Sequence, residues 1–298
     1  MQTIVQDKTF GSKRRLWIGR VPAVPEAIMS QVRSKDGTRI AFERTGSGPA
    51  LILVDGALCS RAFGPSPKLA PLLAPHFTVY AYDRRGRGES GDTGSYSPAR
   101  EVEDIAALVS EAGGTAALLG LSSGGALALE AAAGGLPIDK VVAYEPPYVD
   151  DDGQRDGAAH LGRLQRLVAN GDRSGAVKYF MKDMVGVPAL VVMMMRLMPG
   201  IWRKLKAVAH TLPYDAAVMT EFRIPRARLA SIRIPTLVMN GSRTDARLSR
   251  AARAIADAIP GAEHRELAGQ THNVKPGVLT PAVVQFLSAA TAIPLTRS

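Results

Sequence analysis

Seven short β-type runs, separated by longer stretches of helical pattern, narrow this chain to few architectures. They are Thr38–Gly46 (TRIAFERTG), Ala50–Val54 (ALILV), Phe77–Asp83 (FTVYAYD), Thr115–Gly120 (TAALLG), Lys140–Glu145 (KVVAYE), Thr236–Gly241 (TLVMNG) and Glu263–Ala268 (EHRELA). Continuous apolar runs of this length mark strands covered on both faces, as in parallel sheets. Helical patterns lie between them. The stretch SPAREVEDIAALVSEAG offers Ser97 as N-cap, Pro98 at the first helical position and Gly113 as a stop, and RLSRAARAIADAIPG is amphipathic and ends in Pro-Gly. Strand–helix alternation of this kind predicts a doubly wound α/β fold with a mostly parallel sheet.

The rhythm breaks between residues 146 and 230. No strand is predicted there, and six of the ten methionines fall between Met181 and Met198. The segment interrupts two core strands, so it reads as an inserted helical cap, with the core formed by residues 29–145 and 231–298. Residues 1–28 lack periodicity and an apolar signal region and are expected to be a flexible extension. Within the 298 residues the hydrophobic fraction of 46% and charged fraction of 21% are ordinary for a globular chain. The most apolar long stretch, VGVPALVVMMMRLMPGIW, is interrupted by Pro188, Arg196 and Pro199, so no membrane association is expected. The single cysteine, Cys59, excludes an intramolecular disulfide and fits a reducing, cytoplasmic compartment. A net charge of +10 raises the question of nucleic acid. Its local clusters (KRR at 13–15, DRRGR, RIPRARL) lack interleaved aromatics, so they read as a solvated basic surface and no nucleic-acid partner is expected.

The stretch LLGLSSGGALALE, Leu118–Glu130, carries the chemistry. A strand that turns tightly into a helix presents its apex side chain, and the residues two positions either side must be small. Gly120, Ser122 and Gly124 meet that requirement as Gly-x-Ser-x-Gly. Centring the turn on Ser123 would put Leu121 at a flank, where it is too bulky. Ser122 is therefore the candidate nucleophile, and Ser123 contributes its backbone N–H to an oxyanion hole. Neither a dinucleotide fingerprint nor a Gly-Lys-Ser/Thr phosphate loop is present.

With three further motifs the chain, from Met29 to Ile293, resembles the α/β-hydrolase family. YDRRGRGES (Tyr82–Ser90) matches that family's Asp-x-Arg-Gly-x-Gly-x-Ser turn. VDGALCS (Val54–Ser60) stands where the family carries His-Gly, and GQTHNV (Gly269–Val274) where it carries the catalytic histidine. The resemblance implies an α/β-hydrolase core with an inserted cap, and an oxyanion N–H from Ala57. Asp55 replaces the usual histidine and is left to hydrogen-bond the loop or tune the site. Asp83 and Arg84 are expected to fix the loop after their strand.

Of five histidines, His272 alone lies in a loop after the last predicted strand, and Ser-then-His is the family's order. It is the candidate general base. The acid has two candidates. The family's usual position falls on Thr244, which cannot serve, and Asp245 follows it. Some members place the acid after the earlier strand, where Glu145 stands 23 residues beyond Ser122 and is followed by Pro146 and Pro147. A glutamate ending a buried apolar strand needs a partner, since unpaired burial costs several kcal/mol. Glu145 is taken first and Asp245 second.

Serine at the turn excludes reactions that form an ester on an aspartate there, and leaves acyl transfer to water. The implied activity is hydrolysis of a carboxylic ester, lactone or thioester, with no cofactor and no metal site in the sequence. The methionine-rich segment, in particular Met181, Met184, Met194 and Met198, is expected either to wall an apolar substrate pocket or to fill the cap's core. Two other outcomes remain on this fold: a C–C bond hydrolase or cofactor-free haloperoxidase-like enzyme, and a non-enzymatic ligand-binding protein.

Overall fold

Side chains that alternate along a strand point to opposite faces, so a wholly apolar strand needs cover on both. In the computed structural model, which describes residues 28–148, 157–219 and 222–290, the apolar runs meet that need. Eight strands, β1 (Ile28–Arg33), β2 (Arg39–Thr45), β3 (Ala50–Val54), β4 (Thr78–Tyr82), β5 (Ala116–Leu121), β6 (Ile138–Tyr144), β7 (Thr236–Gly241) and β8 (Glu263–Leu267), form one sheet. Its order is β1-β2-β4-β3-β5-β6-β7-β8. β2 pairs antiparallel with β1 and β4, and all other neighbours are parallel.

The central strands sort their side chains between two cores. Ile52, Val54, Leu118 and Val141 face helices α2 (Pro98–Glu111), α3 (Ser123–Ala133) and α10 (Ala246–Ala258), through Ile105, Leu108, Leu127 and Ile255. Leu51, Leu53, Leu119 and Val142 face α1 (Ser66–Leu73) and α11 (Pro276–Ser288), through Leu69, Leu73, Leu279 and Phe286. β1 does not belong to the seven predicted runs. Its residues alternate between exposed and half-buried, as suits an edge strand, and leave no apolar run to read.

Between β6 and β7 the described residues form helices only: α4 (Gly157–Ala169), α5 (Arg173–Tyr179) running into a π-helical turn, α6 (Ala189–Arg196), α7 (Pro199–Ala207), a 3₁₀ turn, α8 (Leu212–Val218) and α9 (Arg226–Leu229). They enclose a third core that includes Leu164, Val177, Met184, Trp202 and Leu212, and also takes in Leu58 from the loop after β3. The proposed extension at residues 1–28 lies outside the described residues except for Ile28, which opens β1, and residues 291–298 of the core segment also lie outside them. No described helix is long and apolar enough to cross a membrane.

Because β3 and β5–β8 run parallel, their carboxyl ends lie along one edge of the sheet, where ligand sites of open α/β sheets gather. The core assignment is testable. Leu119→Ala, at a fully buried site, is expected to lower the unfolding free energy in urea by about 2–5 kcal/mol. Leu197→Ser, at a site 71% exposed, is expected to change it by less than about 0.5 kcal/mol; equal losses would contradict this packing.

Candidate active site

The serine turn is built by close backbone approach. Ser122 sits between β5 and α3 at φ 53°, ψ −128°, a region L-residues avoid at a cost of about 1–3 kcal/mol. Its N–H donates to the Tyr144 carbonyl (2.9 Å), extending the β5–β6 ladder past the last strand residue. The glycines are required by space. A Cβ at Gly120 would strike the Gly124 carbonyl, and one at Gly124 would strike the Val54 carbonyl. The loop after β3 lies against the serine as well: a Cβ at Gly56 would come 3.0 Å from Ser122 Cβ. Ser123 begins α3, so its N–H is among the amides that have no intrahelical partner.

His272 approaches from the loop after β8. Its Nε2 lies 3.2 Å from Ser122 Oγ, and its Nδ1 lies 2.7 Å from Glu145 Oε2. Since a carboxylate only accepts, Nδ1 carries the proton and Nε2 is left to accept from the serine. Glu145 is fully buried at φ 46°, one residue beyond β6. Its Oε1 accepts from the Gly241 N–H (2.8 Å) and its Oε2 also accepts from Thr244 Oγ1 (3.0 Å). The Tyr144 hydroxyl donates to the Thr271 carbonyl (2.6 Å), fixing the backbone beside His272.

Of the two acid candidates, the structure brings Glu145 to the imidazole. Asp245 instead caps α10, accepting from the Arg247 N–H (2.8 Å) and from its guanidinium (3.0 Å). Thr244, set aside as an acid, stands beside the carboxylate as a donor. The four methionines divide. Met184 is buried in the core of the helical insertion, with Met181 packed beside it, while Met194 and Met198 are 55% and 51% exposed. Cys59 donates to the Ala57 carbonyl (3.3 Å), and burial pushes its thiol up to about 12.

The basic loop after β4 corrects the expectation of a solvated basic surface at DRRGR. Arg84, Arg85 and Arg87 are all buried, because each guanidinium finds carboxylates. Arg84 pairs with Glu101 (2.6 Å) and Asp215 (2.7 Å), Arg85 with Asp104 (2.6 Å) and Asp36 (2.9 Å), and Arg87 with Asp215 (2.8 Å). Asp83 accepts from the Arg61 N–H (2.7 Å) and the Glu89 N–H (3.0 Å), holding the loop as expected. Asp215, from α8, was missed in the sequence, since nothing in LPYDAAV marks a partner 128 residues away. The cluster at 13–15 lies outside the described residues.

Asp55, beside Gly56, is buried, and neither carboxylate oxygen makes a well-formed hydrogen bond among the described residues. Burial pushes its carboxyl up to about 7, against the nearby Ser66, Arg87 and Arg84. Folding therefore favours the protonated form, and that contribution is lost as pH rises from about 4 to about 7. Asp55→Asn should gain on the wild type by up to about 4 kcal/mol between pH 4 and pH 8 in urea unfolding; a difference independent of pH would contradict this environment.

The arrangement can pass a proton from a serine hydroxyl to an imidazole that a buried carboxylate orients. The chain matches the Alpha/beta hydrolase family over residues 46–284. Among solved structures it is similar to an alpha/beta hydrolase from Sphaerobacter thermophilus, with 51% identity and a TM-score of 0.81 over 87% of this chain and 100% of that one. It also resembles a bromoperoxidase from Bacillus anthracis, with 23% identity and a TM-score of 0.70 over 88% of this chain and 100% of the other. An esterase from Rhodococcus shares 22% identity and a TM-score of 0.64, over 88% and 98%. The last two show a shared fold, and their different names show that the fold alone does not choose a reaction. With its family match spanning most of the sequence, this chain belongs to the alpha/beta hydrolase family.

Proposed function

We propose that the protein is a serine hydrolase that cleaves a carboxylic ester, lactone or thioester of a small hydrophobic substrate through an acyl-enzyme on Ser122. The observation that carries this reading is the continuous line from Ser122 Oγ through both nitrogens of His272 to Glu145 (3.2 and 2.7 Å).

In the first half-reaction Ser122 Oγ attacks the substrate carbonyl carbon as His272 Nε2 takes the hydroxyl proton. The carbonyl π electrons move to oxygen, and the N–H groups of Ala57 and Ser123 receive the oxyanion. Collapse breaks the bond to the leaving oxygen or sulfur, which takes the proton back from His272. A water then attacks the acyl carbon, again losing its proton to His272, and collapse returns that proton to Ser122 Oγ with release of the acid. Glu145 holds the imidazole in the required tautomer and stabilises the imidazolium between the two transfers. No step calls for a metal or redox cofactor.

The helical insertion supplies the apolar side of the site. Ala57 and Leu58 of the oxyanion loop share one apolar cluster with Phe63, Met181 and Met195. An apolar wall beside the oxyanion donors supports a hydrophobic acyl or alcohol group over a charged one, and thioether side chains adapt to its shape.

Steady-state kinetics on p-nitrophenyl butyrate test the roles. Ser122→Ala and His272→Ala should lower kcat/KM by about 10⁴-fold or more, and Glu145→Gln by about 10³–10⁴-fold. Asp245→Asn, which keeps a capping side chain and loses the charge of an exposed pair, should stay within about threefold of wild type. A larger loss at Asp245 than at Glu145 would overturn the assignment of the acid.

A further inference from the structure

Both proposed oxyanion donors are tied to a single buried carboxylate that the helical insertion supplies. Asp215, on α8, is fully buried. Its Oδ1 accepts from the Ser123 hydroxyl (2.7 Å), from Arg84 Nη1 (2.7 Å) and from Arg87 Nη2 (2.9 Å), and its Oδ2 accepts from Arg87 Nη2 (2.8 Å). The same two guanidiniums reach the other side of the site. Arg87 Nη1 donates to the Gly56 carbonyl (2.7 Å), and Arg84 Nη1 reaches the Asp55 carbonyl (3.3 Å). Arg87 Nε donates to Thr211 Oγ1 (3.1 Å), a second contact with the insertion.

The Gly56 carbonyl and the Ala57 N–H belong to one planar peptide unit, on opposite sides of it. A cation hydrogen-bonded to that carbonyl fixes the plane and polarises its N–H, which makes the amide a better donor. On the opposite side, the hydroxyl of Ser123 anchors the residue whose N–H is the second donor. We propose that Asp215 is a positioning residue of the oxyanion hole: through Arg87 and the Ser123 hydroxyl it sets both donors, and so makes their alignment depend on how the helical insertion is seated. This rests on the reading of Ala57 and Ser123 as oxyanion donors.

Electrostatics suit the role. Burial works against the Asp215 carboxylate, but Arg87 and Arg84 hold its carboxyl below the ordinary aspartate range, which favours the ionised form. Arg84 has a second acid in Glu101, which it meets through two nitrogens, whereas Arg87 Nη2 donates to both oxygens of Asp215. Tyr214, beside Asp215, stacks on Tyr96 (3.9 Å between ring centres, 3° apart), and the Tyr96 hydroxyl donates to Glu101 (2.8 Å). α8 is thus locked to the same loop from two directions.

A purely structural ion cluster would have the same burial, and the neighbouring one provides the comparison. Arg85 and Asp104 are equally buried, with Asp36 half-buried at the edge of the cluster, and the other contacts of Arg85 go to Thr93, Ser34 and Arg100 and to neither oxyanion peptide. The test measures kcat and KM on p-nitrophenyl butyrate per site titrated with a fluorophosphonate, alongside melting temperature. The variants are Ser123→Ala, Asp215→Asn, the pair Asp215→Leu/Arg87→Met, and Asp104→Asn. Ser123→Ala and Asp215→Asn should lower kcat by about 10- to 100-fold with KM within about threefold. The double variant, which leaves no orphaned charge, should recover melting temperature without recovering kcat. Asp104→Asn should lose melting temperature with kcat within about twofold of wild type. Wild-type kcat in the double variant and in Ser123→Ala, or an equal kcat loss in Asp104→Asn, would overturn the proposal while leaving the serine mechanism standing. Failure of the wild type itself to react with the fluorophosphonate would instead overturn the serine reading, and the oxyanion role with it.

Discussion

The site is organised around a carboxylate that has nowhere to go but inward. Glu145 follows a strand whose last five residues are all buried, and it is itself fully buried. An ionised carboxylate in that position is tolerated only if its oxygens are matched by donors. Three elements supply them: the end of β7 through the Gly241 N–H, the turn after β7 through Thr244, and the loop after β8 through His272. Satisfying one side chain therefore draws the loops after β6, β7 and β8 together at the edge of the sheet where the strained Ser122 stands. The positive φ at both Ser122 and Glu145 turns the chain abruptly as it leaves adjacent strands.

A second buried charge system does comparable work on the opposite flank. Three arginines close together in sequence would repel one another if they were left unpaired, and exposed they would serve mainly solubility. Here they are sunk into the protein and matched by Glu101, Asp104, Asp36 and Asp215. Breaking a buried pair of this kind by removing one partner costs about 3–5 kcal/mol. The glycine that follows them is forced too: Gly88 lies at φ 52°, and a Cβ there would run into the Asp83 carboxylate.

What could be read from the sequence was whatever depends on neighbours along the chain. The central strands β3–β7 were legible because burial on both faces leaves a nearly continuous apolar signal, while β1, a half-exposed edge strand, left none. The elbow was legible because its small residues are needed two positions either side of the apex. The choice between Glu145 and Asp245 was not, because it depends on where three loops converge in space. The sequence offered a glutamate after one strand and an aspartate after the next, and only the folded geometry puts Glu145 on the imidazole and Asp245 on a helix terminus. DRRGR misled for the same reason. Its partners are between 17 and 131 residues distant, so the charges that bury it are invisible locally.

The most direct measurement of the central claim is the location of a covalent adduct. Native protein would be treated with a fluorophosphonate, digested, and the modified peptide sequenced by tandem mass spectrometry, with heat-denatured protein as the control. The expected result is a single adduct on Ser122 that denaturation abolishes. An adduct on Ser123, labelling that survives denaturation, or no adduct at all would contradict the serine mechanism.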